Sequence, residues 1–163
     1  MNTGDTIALG AKKLTLEDVE FVAAGGSIKL SSEAKTKVEQ SRTLVEEKAA
    51  SDTPVYGVTT GFGGLAEVKI PANDLAALQR NLILSHSAGV GRPLSREETR
   101  AMMMLRAQTL AEGFSGVRPE VIELVLHMLN AGVHPVIPEK GSVGASGDLA
   151  PLAHLALGMI GEG

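Results

Sequence analysis

The chain has 163 residues, a formal charge of −4 and no cysteine. That length supports one domain with a real core. The missing cysteines exclude a disulfide framework and thiolate metal sites, and the mild acidity gives no electrostatic case for a nucleic-acid partner.

Met1-Asn2-Thr3-Gly4-Asp5 carries neither a basic n-region nor an apolar h-region, so no signal peptide is expected. No apolar run reaches membrane-spanning length, and the expected setting is cytoplasmic with no membrane partner. Thr15-Leu16-Glu17-Asp18 predicts a helix start and Gly25-Gly26 its end. Ile28-Lys29-Leu30 suits a short strand. Ser31 or Ser32 caps a charged helix running to about Ala50, where Asp52-Thr53-Pro54 breaks it. Arg42, Glu46 and Lys48 give that helix a solvated face. Val55 to Gly64, rich in glycine and β-branched residues, reads as a short extended piece and a loop. Asn73 or Asp74 caps the next helix, with Leu75, Leu78, Leu82 and His86 on one face and Gly89 and Gly91 ending it.

Ser95-Arg96-Glu97-Glu98 forms a capping box before the stripe Met102, Leu105 and Thr109, and Gly113 closes that helix. Met102, Met103 and Met104 read as core or interface filler. Pro119 suits a first helical turn. Val121 to Ala131 is apolar on most faces, which predicts burial on more than one side and makes His127 a structural residue. Gly132, Pro135 and Pro138 end the helix and leave His134 on a surface loop. Asp148 caps the last helix, with Pro151 in its first turn. Leu152, Leu155, Leu157, Met159 and Ile160 then ask for partners that the remaining sequence does not supply, so a piece of a longer chain or of a larger assembly is expected. The elements are mainly α. Aromatics are limited to Phe21, Tyr56, Phe62 and Phe114, so the core falls to aliphatic residues, Met and Ala.

The chemistry concentrates in the stretch from Gly141 to His154, where Ala145-Ser146-Gly147 sits in a glycine-rich turn before a helix start. The amide nitrogen of Gly147 can attack the carbonyl carbon of Ala145, because glycine offers no Cβ to obstruct the approach. Loss of the carbonyl oxygen as water, and of the Ser146 hydroxyl as a second water, leaves an imidazolone ring bearing an exocyclic methylene. That product is an electrophile which no ordinary side chain provides. His154, on the helix that follows, can support the turn through a hydrogen bond, although packing is its simpler role. A serine-hydrolase elbow does not fit, since Gly144-Ala145-Ser146-Gly147-Asp148 lacks the closing glycine and follows no convincing strand. No Gly-Lys-Ser/Thr completes a phosphate loop, and the histidines have no metal-ligand spacing, so no metal is expected.

Three further stretches accompany this segment: Tyr56-Gly57-Val58-Thr59-Thr60-Gly61-Phe62-Gly63, Asn81 to Gly91, and Phe114-Ser115-Gly116-Val117-Arg118. Together, and in this order from about Leu14 to the end, they closely resemble the aromatic amino acid ammonia-lyases. That family includes the histidine, phenylalanine and tyrosine ammonia-lyases and the related aminomutases. The resemblance implies the helical N-terminal domain of the ammonia-lyase (aspartase/fumarase-like) architecture, a single unit over residues 1–163, with short extended segments and glycine-rich loops. It implies that Ala145, Ser146 and Gly147 are the precursor of an autocatalytic methylidene-imidazolone, with no external cofactor, and that Asp148 assists the cyclisation. It makes Tyr56 the base that removes the substrate β-proton, places His86 against the substrate ring and assigns Gly63 to the substrate site. Free tyrosine titrates near ~10, so such a base needs its phenolate favoured by donors or positive charge, which backbone N–H groups of Gly57 to Gly64 can supply.

The Ser85-His86 pair matches the histidine-type lyases. Tyrosine lyases tend to carry His-Leu there and many phenylalanine lyases Phe-Leu, while some tyrosine aminomutases share Ser-His. The expected reaction is elimination of ammonia from L-histidine to give urocanate, with a tyrosine or phenylalanine lyase or aminomutase as the alternative. Family members are several times longer and are homotetramers whose sites combine residues from more than one subunit, and their carboxylate-binding residues lie beyond the present sequence. The competing reading is a catalytically silent truncated helical module. Because cyclisation needs a turn compressed by its surroundings, the isolated 163-residue chain is expected to be unmodified and inactive.

Overall fold

The computed structural model of the protein describes residues 6–51, 54–65, 68, 70–141 and 149–163. In chain order these form β1 (Thr6–Leu9), α1 (Leu16–Ala23), β2 (Ser27–Leu30), α2 (Ser32–Ala49), α3 (Leu75–His86), β3 (Val90–Pro93), α4 (Arg96–Ala111), α5 (Pro119–Ala131), β4 (Pro138–Lys140) and α6 (Leu149–Met159). The architecture is mainly α, as expected.

Local chemistry sets most helix starts. Thr15 and Asp18 form a reciprocal capping box at α1, Ser31 caps α2 through the Ala34 N–H, and Ser95 and Glu98 repeat the box at α4. Asp74 precedes α3 but makes no capping bond; the chain enters this helix through a 3-10 turn over Ala72–Asp74 instead. The helix ends at His86 with Ser87 as its cap, and Gly91 belongs to β3.

Two small sheets tie distant segments together. β1 and β2 pair in parallel with Ile7 opposite Ile28, and β3 and β4 pair antiparallel with Val90 opposite Lys140. Neither β1 nor the β3–β4 pair is predicted from the sequence. Asn130 of α5 extends the first sheet by accepting from the Ile28 N–H at 3.0 Å and donating to the Ile28 carbonyl at 2.8 Å.

The core gathers Leu9, Val22, Ile28, Val38, Met103, Met104, Ala107, Ile122, Val125, Leu129 and Ile137. Met103 and Met104 fill it as the sequence suggests. The stripe Met102, Leu105 and Thr109 is not the inward face of α4: Leu105 and Thr109 are exposed, and the buried face runs through Thr99, Arg100, Met103, Ala107 and Leu110. α5 buries one broad face through Ile122, Val125, Leu126 and Leu129, while Leu124 and His127 are exposed. The expectation of burial on more than one side, with a structural His127, is therefore corrected.

Arg100 is 1% exposed and has no carboxylate partner among the described residues. Its Nε donates to the Val22 carbonyl at 2.7 Å, Nη1 to the Leu129 carbonyl at 2.7 Å and Nη2 to the Gly26 carbonyl at 3.3 Å. A cation thus caps the C-terminal turns of α1 and α5, where backbone dipoles present negative charge. Nη1 also lies 3.1 Å from Nε2 of His134. His134 is accordingly half-buried against Arg100 and is not the surface residue expected from its proline-flanked loop.

Candidate active site

Tyr56 sits on a braced turn. The Val55 N–H donates to Oγ1 of Thr59 at 2.9 Å, and the Val55 carbonyl accepts from the N–H groups of Val58 and Thr59. Gly57 follows with a φ of +73°, a conformation that suits glycine. The segment is a hydrogen-bonded turn followed by a 3-10 turn at Gly63–Leu65, and so differs from the short extended piece expected. Of the loop N–H groups considered as donors, those of Val58, Thr59 and Gly61 already donate to Val55 and Val68 carbonyls. The Tyr56 ring stands edge-on to Phe62, with centroids 5.7 Å apart.

His86 closes the last turn of α3, at the end of the half-buried stripe Leu75, Leu78 and Leu82. Its Nδ1 lies 2.8 Å from the Leu82 carbonyl and 3.1 Å from Oγ of Ser85. A carbonyl only accepts, so Nδ1 carries a proton, and in the neutral ring Nε2 keeps its lone pair.

Both side chains line one cleft of about 620 Å³, together with Phe62, with Leu82 and Ile83 of α3, and with Leu149, Leu152, Ala153 and Ala156 of α6. Arg106 of α4 is the cation among the lining residues, and no carboxylate is among them. Arg106 makes no hydrogen bond or ion pair among the described residues, so its donors are open to an anion. Sequence reasoning overlooked it, although it is the one charged residue between Ala101 and Ala111. An apolar cleft with a phenol, an acceptor nitrogen and a guanidinium can hold a small anionic aromatic molecule and exchange a proton with it.

Gly63 is exposed, and nothing lies within 4 Å of where its Cβ would be; it is not among the residues lining the cleft. Ala145, Ser146, Gly147 and Asp148 lie outside the described residues.

Residues 14–163 match the family model for aromatic amino acid lyases. The chain belongs to that family. It is 57% identical over 158 residues to the histidine ammonia-lyase of Myxococcus xanthus, covering 96% of this chain and 31% of the relative. Histidine ammonia-lyase from Trypanosoma cruzi shares the fold with a TM-score of 0.87 at 41% identity, over 98% of this chain and 30% of that one. Tyrosine aminomutase from Streptomyces globisporus gives a TM-score of 0.85 at 38% identity, over 93% and 28%. This aromatic lyase chain therefore spans about a third of the length of the relatives it matches. Among its described residues no helix is long and apolar enough to cross a membrane.

Proposed function

We propose that this chain is the N-terminal part of a lyase that eliminates ammonia from L-histidine to give urocanate, forming one unit over residues 1–163 of a longer, homotetrameric protein. The observation that carries the reading is the convergence of Tyr56 and His86 on one apolar cleft, in a chain 57% identical to a histidine ammonia-lyase.

Elimination from an amino acid is difficult because the β-proton is weakly acidic and the amine leaves poorly. Tyr56, held on its braced turn and 62% exposed, is the base that receives the β-proton at its phenolic oxygen. His86 orients the substrate ring: with Nδ1 committed to Leu82, its Nε2 accepts from an imidazole N–H. Arg106 counters negative charge in the cleft. The family resemblance assigns Gly63, which has a φ of +56°, to the substrate site, although it is not among the residues that line the described cleft. Ala145, Ser146 and Gly147 hold the electrophile, a methylidene-imidazolone of their own making that turns the amine into a better leaving group, and Asp148 assists its formation. Gly141 and Ala150, the described residues on either side of that segment, lie close together: a Cβ on Gly141 would stand 2.8 Å from Cβ of Ala150. No external cofactor is needed. The 163-residue chain alone holds only part of this machinery and is unmodified and inactive.

The Ser85-His86 pair and the likeness to a tyrosine aminomutase favour one second reading, a tyrosine or phenylalanine lyase or aminomutase. Incubating the full-length protein with histidine, tyrosine and phenylalanine separates the two. Urocanate from histidine supports the proposal. Coumarate, cinnamate or a β-amino acid without urocanate overturns it.

A further inference from the structure

Two of the helices that line the cleft are tied to each other near both ends. Leu82, Ile83 and His86 come from α3, and Ala153, the residue before His154, comes from α6. Near one end Arg80 of α3 donates from Nε and Nη2 to the two carboxylate oxygens of Glu162, just beyond α6, at 2.8 and 2.9 Å. Near the other the Gly89 N–H donates to Nε2 of His154 at 3.1 Å. The two helices thus lie side by side in opposite senses. Between His86 and Gly89 the chain has little slack. The Ser87 N–H and Oγ both donate to the Ile83 carbonyl, at 3.0 and 2.8 Å, and the Ala88 N–H donates to the His86 carbonyl at 2.8 Å. Gly89 carries the first N–H after His86 that bonds outside this segment. A Cβ on Gly89 would lie 3.0 Å from Nε2 of His154 and 3.1 Å from Cβ of Pro138, so added bulk there pushes the tie apart.

We infer that His154 is a positioning residue for His86: by accepting the Gly89 N–H it holds the end of α3, and with it the imidazole that receives the substrate ring, at a fixed place against α6. The inference rests on the reading of His86 given above. The direction of the His86 ring is set within α3, because Nδ1 bonds the Leu82 carbonyl. What remains to be set is where the end of α3 stands relative to the α6 lining of the cleft. The Gly89–His154 bond does this. Nε2 of His154, in the neutral ring protonated on Nδ1, is an acceptor. Ser87 and Ala88 bond back to α3, so a shift of Gly89 carries His86 with it. Without the acceptor, the half-buried Gly89 N–H loses its partner, and the segment moves to satisfy it. The Arg80–Glu162 pair holds its own end of the two helices whether or not that acceptor is present, so the change is confined to the end that carries His86. A small displacement of a ring-binding group weakens substrate binding and leaves the proton acceptor on Tyr56 in place.

Steady-state kinetics of the full-length enzyme with histidine test this. KM does not depend on the fraction of chains that are active, so any loss of active chains lowers the apparent kcat and leaves KM to report the site. His154→Phe, which keeps the bulk but removes the acceptor, raises KM about three- to tenfold, the range one uncharged hydrogen bond supports. Gly89→Ala, which wedges a methyl group between His154 and Pro138, raises it to a similar extent. His154→Gln, which keeps an acceptor, stays within about twofold of wild type. Arg80→Gln, which breaks an exposed ion pair at the other end of the same helices, also stays within about twofold. In a His86→Ala background, His154→Phe and Gly89→Ala add less than about twofold, because the group they position is gone. An unchanged KM in both His154→Phe and Gly89→Ala overturns the inference, as does a rise that persists in full without His86, a rise of equal size in Arg80→Gln, or a His154→Gln variant no better than His154→Phe. If His154→Phe does not fold, Gly89→Ala and its pairing with His86→Ala decide alone. A wild-type KM in His86→Ala itself, or a full-length protein that releases no urocanate, overturns instead the reading of the site on which the inference rests.

Discussion

Arg100→Met removes the cation that joins α1, α4 and α5 while keeping a similar buried volume. Two opposing effects set the size of the change. The variant loses two short charge-assisted bonds, to the carbonyls of Val22 and Leu129, and a longer one to Gly26. Bonds from a charged donor contribute about 1.5–3 kcal/mol each. Against this, the variant no longer buries a cation that lacks a carboxylate partner, and replacing such a charge with an apolar side chain recovers part of the loss. The orphaned carbonyls are also not bare: Val22 still accepts from the Gly25 N–H at 3.0 Å and Leu129 from the Gly132 N–H at 3.3 Å. The bonds win, because three carbonyls from two helix ends converge on one planar fork that methionine cannot imitate. The expected net loss is about 2–4 kcal/mol. Urea titration of the wild-type and variant proteins, followed by circular dichroism, reads this as a lower midpoint at unchanged slope. A change below about 1 kcal/mol refutes the reasoning and means that desolvation of the guanidinium cancels its bonds.

Tyr56→Phe keeps the edge-on contact with Phe62 but removes the oxygen proposed to take the β-proton. Turnover of the full-length enzyme should fall about 10²–10⁴-fold with the melting temperature nearly unchanged, as a urocanate-release assay will show. His134 is held below its ordinary value of 6.5, first by burial and then by the charges of Arg100 and Arg96. The folded state therefore binds fewer protons there than the unfolded chain. The stability this provides is complete above the ordinary value and is lost as the pH falls through the folded pKa. Urea midpoints at about pH 7.5 and about pH 5 should differ in the wild type, and His134→Asn should narrow the difference.

Features encoded within a few residues were legible in the sequence. The capping boxes at Thr15–Asp18 and Ser95–Glu98 depend on residues three apart, and both stand as read. Leu75, Leu78, Leu82 and His86 share the half-buried face that their spacing indicates. Long-range features were not legible. Thr6–Leu9 is only four residues, and it becomes a strand because Ser27–Leu30 lies beside it. The inward face of α4 was hidden by Arg100, since a charged residue marks the solvent side in any pattern count, and only the carbonyls of α1 and α5 make its burial tolerable. His134 was misplaced for the same reason, because its partner is that unexpected arginine.

At the candidate site, Tyr56 and His86 could be named from their motifs, and the fold brings them to one cleft. Arg106 escaped notice because a lone cation on a helix normally signals solvent. For His154 the sequence leaves packing and support of the preceding turn both open; its bond to Gly89 gives it a polar role that no local pattern encodes, since the two residues are 65 apart in sequence.

The central claim is that the Ala145-Ser146-Gly147 backbone condenses with itself. Trypsin cleaves the full-length protein after Lys140, and the mass of the peptide that starts at Gly141 reads that chemistry directly. The account predicts a peptide about 36 Da lighter than its sequence, and a peptide of unreduced mass for Ser146→Thr, whose extra methyl group disfavours the ring. A wild-type peptide at full sequence mass, from a protein that releases urocanate at full rate, would contradict it.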